Sequence, residues 1–72
     1  MTISEQCMIA YERMNMRNQR PRYFVMSAED LLNLRKENSL YLTRVTVSRD
    51  KYTFMVIEIA LRTSNTGGVE AV

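Results

Sequence analysis

The chain has 72 residues, of which 46% are hydrophobic and 25% charged, with a formal net charge of +2. This length allows one domain at most, and a core that buries only about 60% of the unfolded surface leaves such a domain marginally stable. One cysteine rules out an internal disulfide, and the lack of histidine argues against a zinc site. The remaining way to gain stability is association with another copy or with a partner.

The composition is poor in groups that carry catalysis. Histidine, the commonest general base, is missing. Cys7 falls on the apolar stripe of a predicted helix, where a thiol behaves as a small hydrophobe. No glycine-rich loop stands between a strand and a helix, as a phosphate cradle requires. We therefore expect a protein that is not an enzyme, with no catalytic residue, no cofactor, no metal and no small-molecule substrate.

The same features bear on localisation. A lone cysteine and the lack of a secretory pattern suggest a reducing compartment. The longest apolar run, at residues 54–57, is far too short to span a bilayer. The expectation is a cytoplasmic protein with no membrane segment.

The first predicted element is a helix that starts at a capping box. Thr2 and Glu5 have the spacing at which each side chain satisfies a free backbone N–H near the helix start. Pro21 ends the pattern, and the helix is expected to stop between Asn15 and Asn18. Its apolar stripe consists of Ile3, Cys7, Ala10, Tyr11 and Met14. Ile9 and Met16 lie off this stripe, so they are either scattered exposed apolar residues or part of a second surface.

A short strand at residues 22–26 and a second helix at residues 27–38 follow. Ser27 has the character of an N-cap, and Asn38 can adopt the left-handed conformation that closes a helix. The predicted buried stripe of this helix is Ala28, Leu31, Leu32 and Leu34.

Residues 40–48 and 52–62 are predicted to be two strands of a hairpin. A three-residue loop at 49–51 would place Arg44 diagonal to Glu58 on one sheet face, whereas a register shifted by one residue would separate them. Residues 63–72 contain no large apolar side chain other than valine and are predicted to be a flexible tail. The compact domain would then span residues 1–62.

These elements define the expected fold class. The chain should be a small α+β domain with the order α-β-α-β-β, in which two helices pack with a three-stranded antiparallel sheet of order 1-3-2. The last strand is the most apolar and should therefore be central. The second helix should cover one sheet face, with the first helix beside it or reaching to another copy.

Charge is concentrated in one segment. Residues 13–22, called the arginine segment below, hold four of the ten basic residues and none of the eight acids, which leaves six basic against eight acidic residues, or −2, elsewhere. The basic pI near 9.0 therefore reflects a patch rather than a uniformly basic surface. The candidate partner-binding residues are Arg13, Met16, Arg17, Arg20, Arg22 and Tyr23.

Three interpretations of the arginine segment remain open. It could be the solvated end of a surface helix, a docking surface for a protein, or a grip on nucleic acid. Arginine, methionine and tyrosine are enriched at protein interfaces, and methionines cluster in this third of the chain. The net acidic remainder weakens non-specific binding to a polyanion, and at most one of Tyr23 and Phe24 can point outward to stack on a base, since neighbours in a strand alternate.

The sequence favours a small binding protein of the regulator or inhibitor type. It would dock on a protein partner, or on a second copy, through the first helix and the arginine segment. The alternative is a nucleic-acid-binding regulator that uses the basic patch from Arg13 to Arg22.

Overall fold

Two helices and one five-stranded mixed sheet make up the computed structural model, which describes residues 1–46, 50–63 and 68–72. The elements are α1 (Ile3–Asn15), β1 (Tyr23–Ser27), α2 (Ala28–Lys36), β2 (Leu42–Val45), β3 (Lys51–Phe54), β4 (Ile57–Arg62) and β5 (Glu70–Ala71). The strand order is β2-β3-β4-β1-β5. The predicted α+β class with two helices is confirmed, whereas the three-stranded antiparallel sheet of order 1-3-2 is wrong.

The main error concerns the predicted strand 52–62. The chain reverses direction at Met55 and Val56, so this stretch forms two strands, with Phe54 opposite Ile57 across the turn. Because β4 runs back along β3, it pairs in parallel with β1, with Tyr23 in register with Glu58. The prediction that this stretch lies next to β1 is confirmed, but the predicted antiparallel pairing is wrong, because the two strands are parallel.

A fifth strand lies at the sheet edge beside β1. Glu70 and Ala71 pair antiparallel with Val25 and Phe24, and the backbone N–H of Val72 donates to the carbonyl oxygen of Tyr23 at 3.0 Å. The strand count predicted from the sequence omitted this element. Mobility of the predicted tail 63–72 stays a prediction, and its residues 64–67 lie outside the described residues.

Side chains accept hydrogen bonds from three backbone N–H groups at the start of α1. The hydroxyl of Thr2 accepts from the backbone N–H of Glu5 at 3.1 Å, as the capping box predicts. The carboxylate of Glu37, just after α2, accepts from the backbone N–H groups of Ile3 at 2.9 Å and Ser4 at 3.3 Å. A helix start leaves four N–H groups without helical partners, and here side chains supply acceptors for three of them.

The ends of both helices agree with the sequence. Asn18 follows α1 with a φ of 57°, and Asn38 follows α2 with a φ of 53°. The hydroxyl of Ser27 accepts from the backbone N–H of Asp30 at 3.1 Å and so caps α2. These caps are local, so the sequence alone predicts them.

The core lies between the sheet and both helices. Phe24 and Ile59 are neighbours in the β1–β4 register, and both pack in one cluster with residues of α1 and α2. The helices therefore cover the same sheet face, and α1 lies beside α2. The buried apolar residues are Ile3, Cys7, Phe24, Met26, Leu34, Phe54 and Ile59. In the predicted α2 stripe only Leu34 is buried, since Leu31 is half-buried and Ala28 and Leu32 are exposed.

The hairpin register separates Arg44 from Glu58. Thr43 and Glu58 both lie opposite Thr53, whereas Arg44 lies opposite Tyr52 and therefore on the other sheet face. The Arg44 guanidinium contacts Asp50 at 2.8 Å, and Lys51 contacts Glu58 at 3.2 Å. Lys51 begins β3 and is not part of a three-residue loop, while Arg49 lies outside the described residues.

Among the helices in the described ranges, none is long and apolar enough to cross a membrane.

Candidate docking surface

Several chain segments meet at one end of the sheet. The parallel register of Tyr23 with Glu58 places the starts of β1 and β4 together. The turn of Met55 and Val56, called the tip below, directly precedes β4 and lies at this end. Leu42 pairs with Phe54, so the start of β2 is there too. This end thus joins the tip to the chain that leaves the arginine segment.

The tip has an unusual backbone. Met55 and Val56 have φ values of 53° and 68°, in the left-handed region where a two-residue primed turn needs both of its residues. Asn and Gly are the usual residues at these positions, and a β-branched side chain is among the least suited. Left-handed conformation costs about 1–2 kcal/mol per residue with a Cβ atom. The tip therefore holds an apolar pair in a conformation that its sequence disfavours.

The tip also exposes apolar side chains. Val56 is 92% exposed, and nearby Leu40 and Tyr41 are 97% and 54% exposed. Together with Met55 these residues line an open groove of about 430 Å³ on the helix-free face of β2 and β3. Adjacent exposed apolar residues of this kind mark interaction surfaces, whereas single ones are ordinary.

On its other side the tip contacts the arginine segment. A second groove of about 400 Å³, called the tip groove below, is bounded by Val56 on one side and by Arg20 and Pro21 on the other. Tyr11 of α1 completes its wall, and Pro21 is buried. Pro21 fixes the backbone beside Arg20, because its ring restricts both its own φ and the conformation of the preceding residue. Arg20 is thus held at the rim of an apolar groove.

The arginine segment has no counter-charge in the described part of the chain. The ion pairs of residues 1–46, 50–63 and 68–72 involve Arg44, Lys51 and Arg62, and none involves an arginine of residues 13–22. All four of these arginines are exposed. Their positive charge is therefore available to an external group.

The six predicted site residues do not form one cluster. Arg20 lies at the tip groove, whereas Arg13 lines a different groove of about 280 Å³ between α1 and Val69. Met16 is the C-cap of α1 and is 84% exposed, and Arg17 lies in the following turn.

Arg22 and Tyr23 complete the set at the start of β1. The backbone N–H groups of Arg22 and Tyr23 both donate to the carbonyl oxygen of Val72. Since Phe24 points into the core, Tyr23 points to the helix-free face, where it is 41% exposed. Ile9, which the sequence left between two interpretations, is half-buried at the Arg13 groove beside Val69.

Sequence reasoning missed the tip. The predicted strand of eleven residues was about twice the usual length and was apolar on both faces, which was the only available signal of a break. Residues 54–57 contain no glycine, asparagine or proline, so no turn residue marks the reversal.

Cys7 offers no chemistry at the surface. It is fully buried, and burial raises the pKa of its thiol to about 12, with further raising by the carboxylates of Glu37 and Asp30. A thiol in this state is a poor nucleophile. In the ranges that the structure describes, no group of three or more cysteine and acidic side chains is placed to hold a metal ion.

Comparison of the chain with protein-family models, with curated proteins and with solved structures found no match.

Proposed function

We propose that this chain is a small non-enzymatic binding protein that docks on an acidic protein surface through the tip and the adjoining arginine segment. The observation that carries the proposal is the tip itself, where Met55 and Val56 hold a disfavoured backbone and Val56 exposes its apolar side chain beside Arg20. Backbone strain of this kind concentrates at functional sites.

The arrangement resembles the anatomy of a protein interface. Interfaces combine an apolar centre with a polar rim, and methionine, tyrosine and arginine are enriched in them. In the tip groove the apolar centre consists of Met55, Val56 and Tyr11, and Arg20 forms part of the polar rim. Arg13, Arg17 and Arg22 are exposed elsewhere along the arginine segment, so the matching partner surface should carry a carboxylate opposite Arg20 and a net negative charge around it.

Charge alone would suit phosphate equally well. Binding to a phosphate backbone depends on cationic side chains and gains little affinity from exposed aliphatic side chains such as Val56 and Leu40. The apolar tip therefore favours protein over nucleic acid, which remains the alternative partner.

Affinity capture from the native host tests the proposal. The bait is the intact chain, with and without nuclease treatment, beside two variants: Met55→Asn with Val56→Gly, and Arg20→Glu. The matched control is Leu61→Ser, because Leu61 is an exposed apolar residue on β4, away from the tip. A nuclease-resistant partner that both variants lose and the control retains supports the proposal.

The opposite outcomes are equally distinct. A partner lost on nuclease treatment, with affinity that falls steeply with salt, would establish the nucleic-acid alternative. A nuclease-resistant partner captured equally by all variants would move the docking surface away from the tip.

A further inference from the structure

The two edges of the sheet differ in how they are protected. β5 is an edge of only two residues, and such short edges resist pairing with other chains. β2 is the other edge, and its register with β3 runs without a bulge from Leu42 to Val45. It contains no proline and no lysine. With four residues β2 is the longer of the two edges, and its one charged side chain, Arg44, is paired with Asp50 at 2.8 Å. β2 therefore has less protection than an edge that carries proline, lysine or a bulge.

The outward groups of β2 can be assigned from its register. The backbone N–H of Met55 donates to the carbonyl oxygen of Tyr41 at 3.1 Å, so odd-numbered residues of this strand turn their backbone groups toward β3. Antiparallel pairs alternate between hydrogen-bonded and non-hydrogen-bonded. The N–H and C=O of Arg44 and the C=O of Leu42 therefore point away from the sheet.

We propose that β2 pairs antiparallel with β2 of a second copy, around a two-fold axis at Thr43, to form a continuous sheet across a homodimer. This contact uses the edge of β2 and not the arginine segment, although it shares with the tip the groove that Tyr41 lines on the helix-free face.

The side chains select this register. With Thr43 opposite Thr43 of the second copy, Tyr41 lies opposite Val45, and both are favourable types of cross-strand pair. Arg44 of each copy can then donate its N–H to the C=O of Leu42 in the other. A dyad at Arg44 would place two arginines directly opposite each other, which is unfavourable. The strand is thus self-complementary in one register.

The groove agrees with a second copy as the occupant. Tyr41, Thr43 and Val45 line it on the helix-free face, next to the edge of β2. In the proposed pairing the two grooves would join across the dyad, so the apolar side chains of one copy would meet those of the other.

A cysteine cross-link tests both the dimer and its register. In the proposed pairing the two Thr43 Cα atoms are about 4.5 Å apart, which is within disulfide range. Thr43→Cys should therefore form a disulfide-linked dimer under mild oxidant. Val45→Cys is the matched control, because its two copies would lie about 13 Å apart along the strands. Cys7 is buried and should not compete.

Sedimentation of the unmodified chain and of Arg44→Pro completes the test. Proline at Arg44 removes an N–H that β3 does not use, and edge strands tolerate proline. It should weaken dimerisation by at least about tenfold, through loss of two equivalent hydrogen bonds, while circular dichroism stays unchanged. If Arg44→Pro fails to fold, the cross-link comparison decides alone. A monomeric unmodified chain, or equal cross-linking at both cysteine positions, would overturn the proposal.

Discussion

The two ends of α1 are built on opposite principles. At its start the backbone N–H groups of Ile3, Ser4 and Glu5 have side-chain acceptors, and Glu37 reaches from the end of α2 to supply two of these bonds. At its far end the chain passes through exposed arginines without counter-charges in the described residues, toward a strained apolar tip. The first end stabilises the fold, whereas the second leaves charge and apolar surface available to a partner. Substitutions at the two ends should therefore affect stability and binding in opposite proportions.

The largest effect on the free energy of unfolding is expected at Phe54, where the core borders the tip. Phe54 is fully buried, with its ring 6.0 Å from that of Phe24, whereas Val56, two residues later, is almost fully exposed. Phe54→Ala should lower the free energy of unfolding by about 3–5 kcal/mol, and Val56→Ala should change it by less than about 0.5 kcal/mol. Urea denaturation measures both. Similar losses in the two variants would mean that the tip belongs to the core.

The next effect concerns Glu37. Glu37→Ala removes the acceptor of the Ile3 and Ser4 N–H groups and should cost about 2 kcal/mol. Glu37→Gln keeps a neutral acceptor and should recover part of this loss. Glu12→Gln, at an exposed position on α1, is the control and should be nearly neutral.

The Glu37 contact also predicts a pH dependence. Burial opposes ionisation of this carboxyl, but hydrogen bonds from Ser4 and Ile3 outweigh burial and hold its pKa below the usual value. Since the folded pKa is the lower one, the stabilisation is present above the unfolded pKa and is lost as the pH falls through the folded pKa. Denaturation curves of the unmodified chain and Glu37→Ala should converge on acidification. A difference that stays constant with pH would show that the carboxylate charge has no role.

A smaller effect, opposite in sign, is expected at the tip. Met55→Asn with Val56→Gly supplies the residues that a type I′ turn prefers. It should raise the free energy of unfolding by about 1 kcal/mol, since relief of the left-handed strain at two residues exceeds the entropic cost of glycine and the contacts that half-buried Met55 loses. Leu40→Asn removes an exposed apolar group at a position without positive φ and should give no gain. A destabilised double variant would mean that the apolar pair contributes to folding rather than to binding.

The smallest effect on stability should come from the arginine segment. Arg17→Glu with Arg20→Glu alters two exposed side chains that have no intramolecular ion pair in the described residues. The double substitution should therefore change the free energy of unfolding by less than about 0.5 kcal/mol, as measured by thermal unfolding. Partner capture, in contrast, should be lost. A clear loss of stability would assign these arginines to the fold.

Features of the fold could be predicted when the residues that determine them are close together in the sequence. The cap of α1 by Thr2, the cap of α2 by Ser27 and the left-handed Asn38 each depend on a few neighbouring residues, and these were predicted correctly. The second half of the capping box differs, because the carboxylate of Glu5 accepts from the hydroxyl of Thr2. The predicted buried stripe of α2 was wrong at Leu32, which is exposed. A helical wheel shows which residues share a helix face, but it does not show which of them the sheet covers. β5 was not predicted, because its two residues form a strand only through their pairing with β1.

The candidate site divides in the same way. The sequence located Arg20 and its exposed neighbours, since charge without nearby acids is visible in the primary structure. It could not show that Arg20 and Arg13 border different grooves, nor that Met55 and Val56 form a turn, because no turn residue marks the reversal.

The sequence by itself determined the two helices, their caps, the small α+β class and the position of the uncompensated arginines, because periodicity and charge are local properties. Only the tertiary structure decided the direction of β4, the contact of Glu37 with the start of α1, and the exposed β2 edge. Each of these depends on segments distant in sequence coming into register, and at the tip the gain from placing Phe54, Ile57 and Ile59 in one core outweighs the backbone preference of Met55 and Val56.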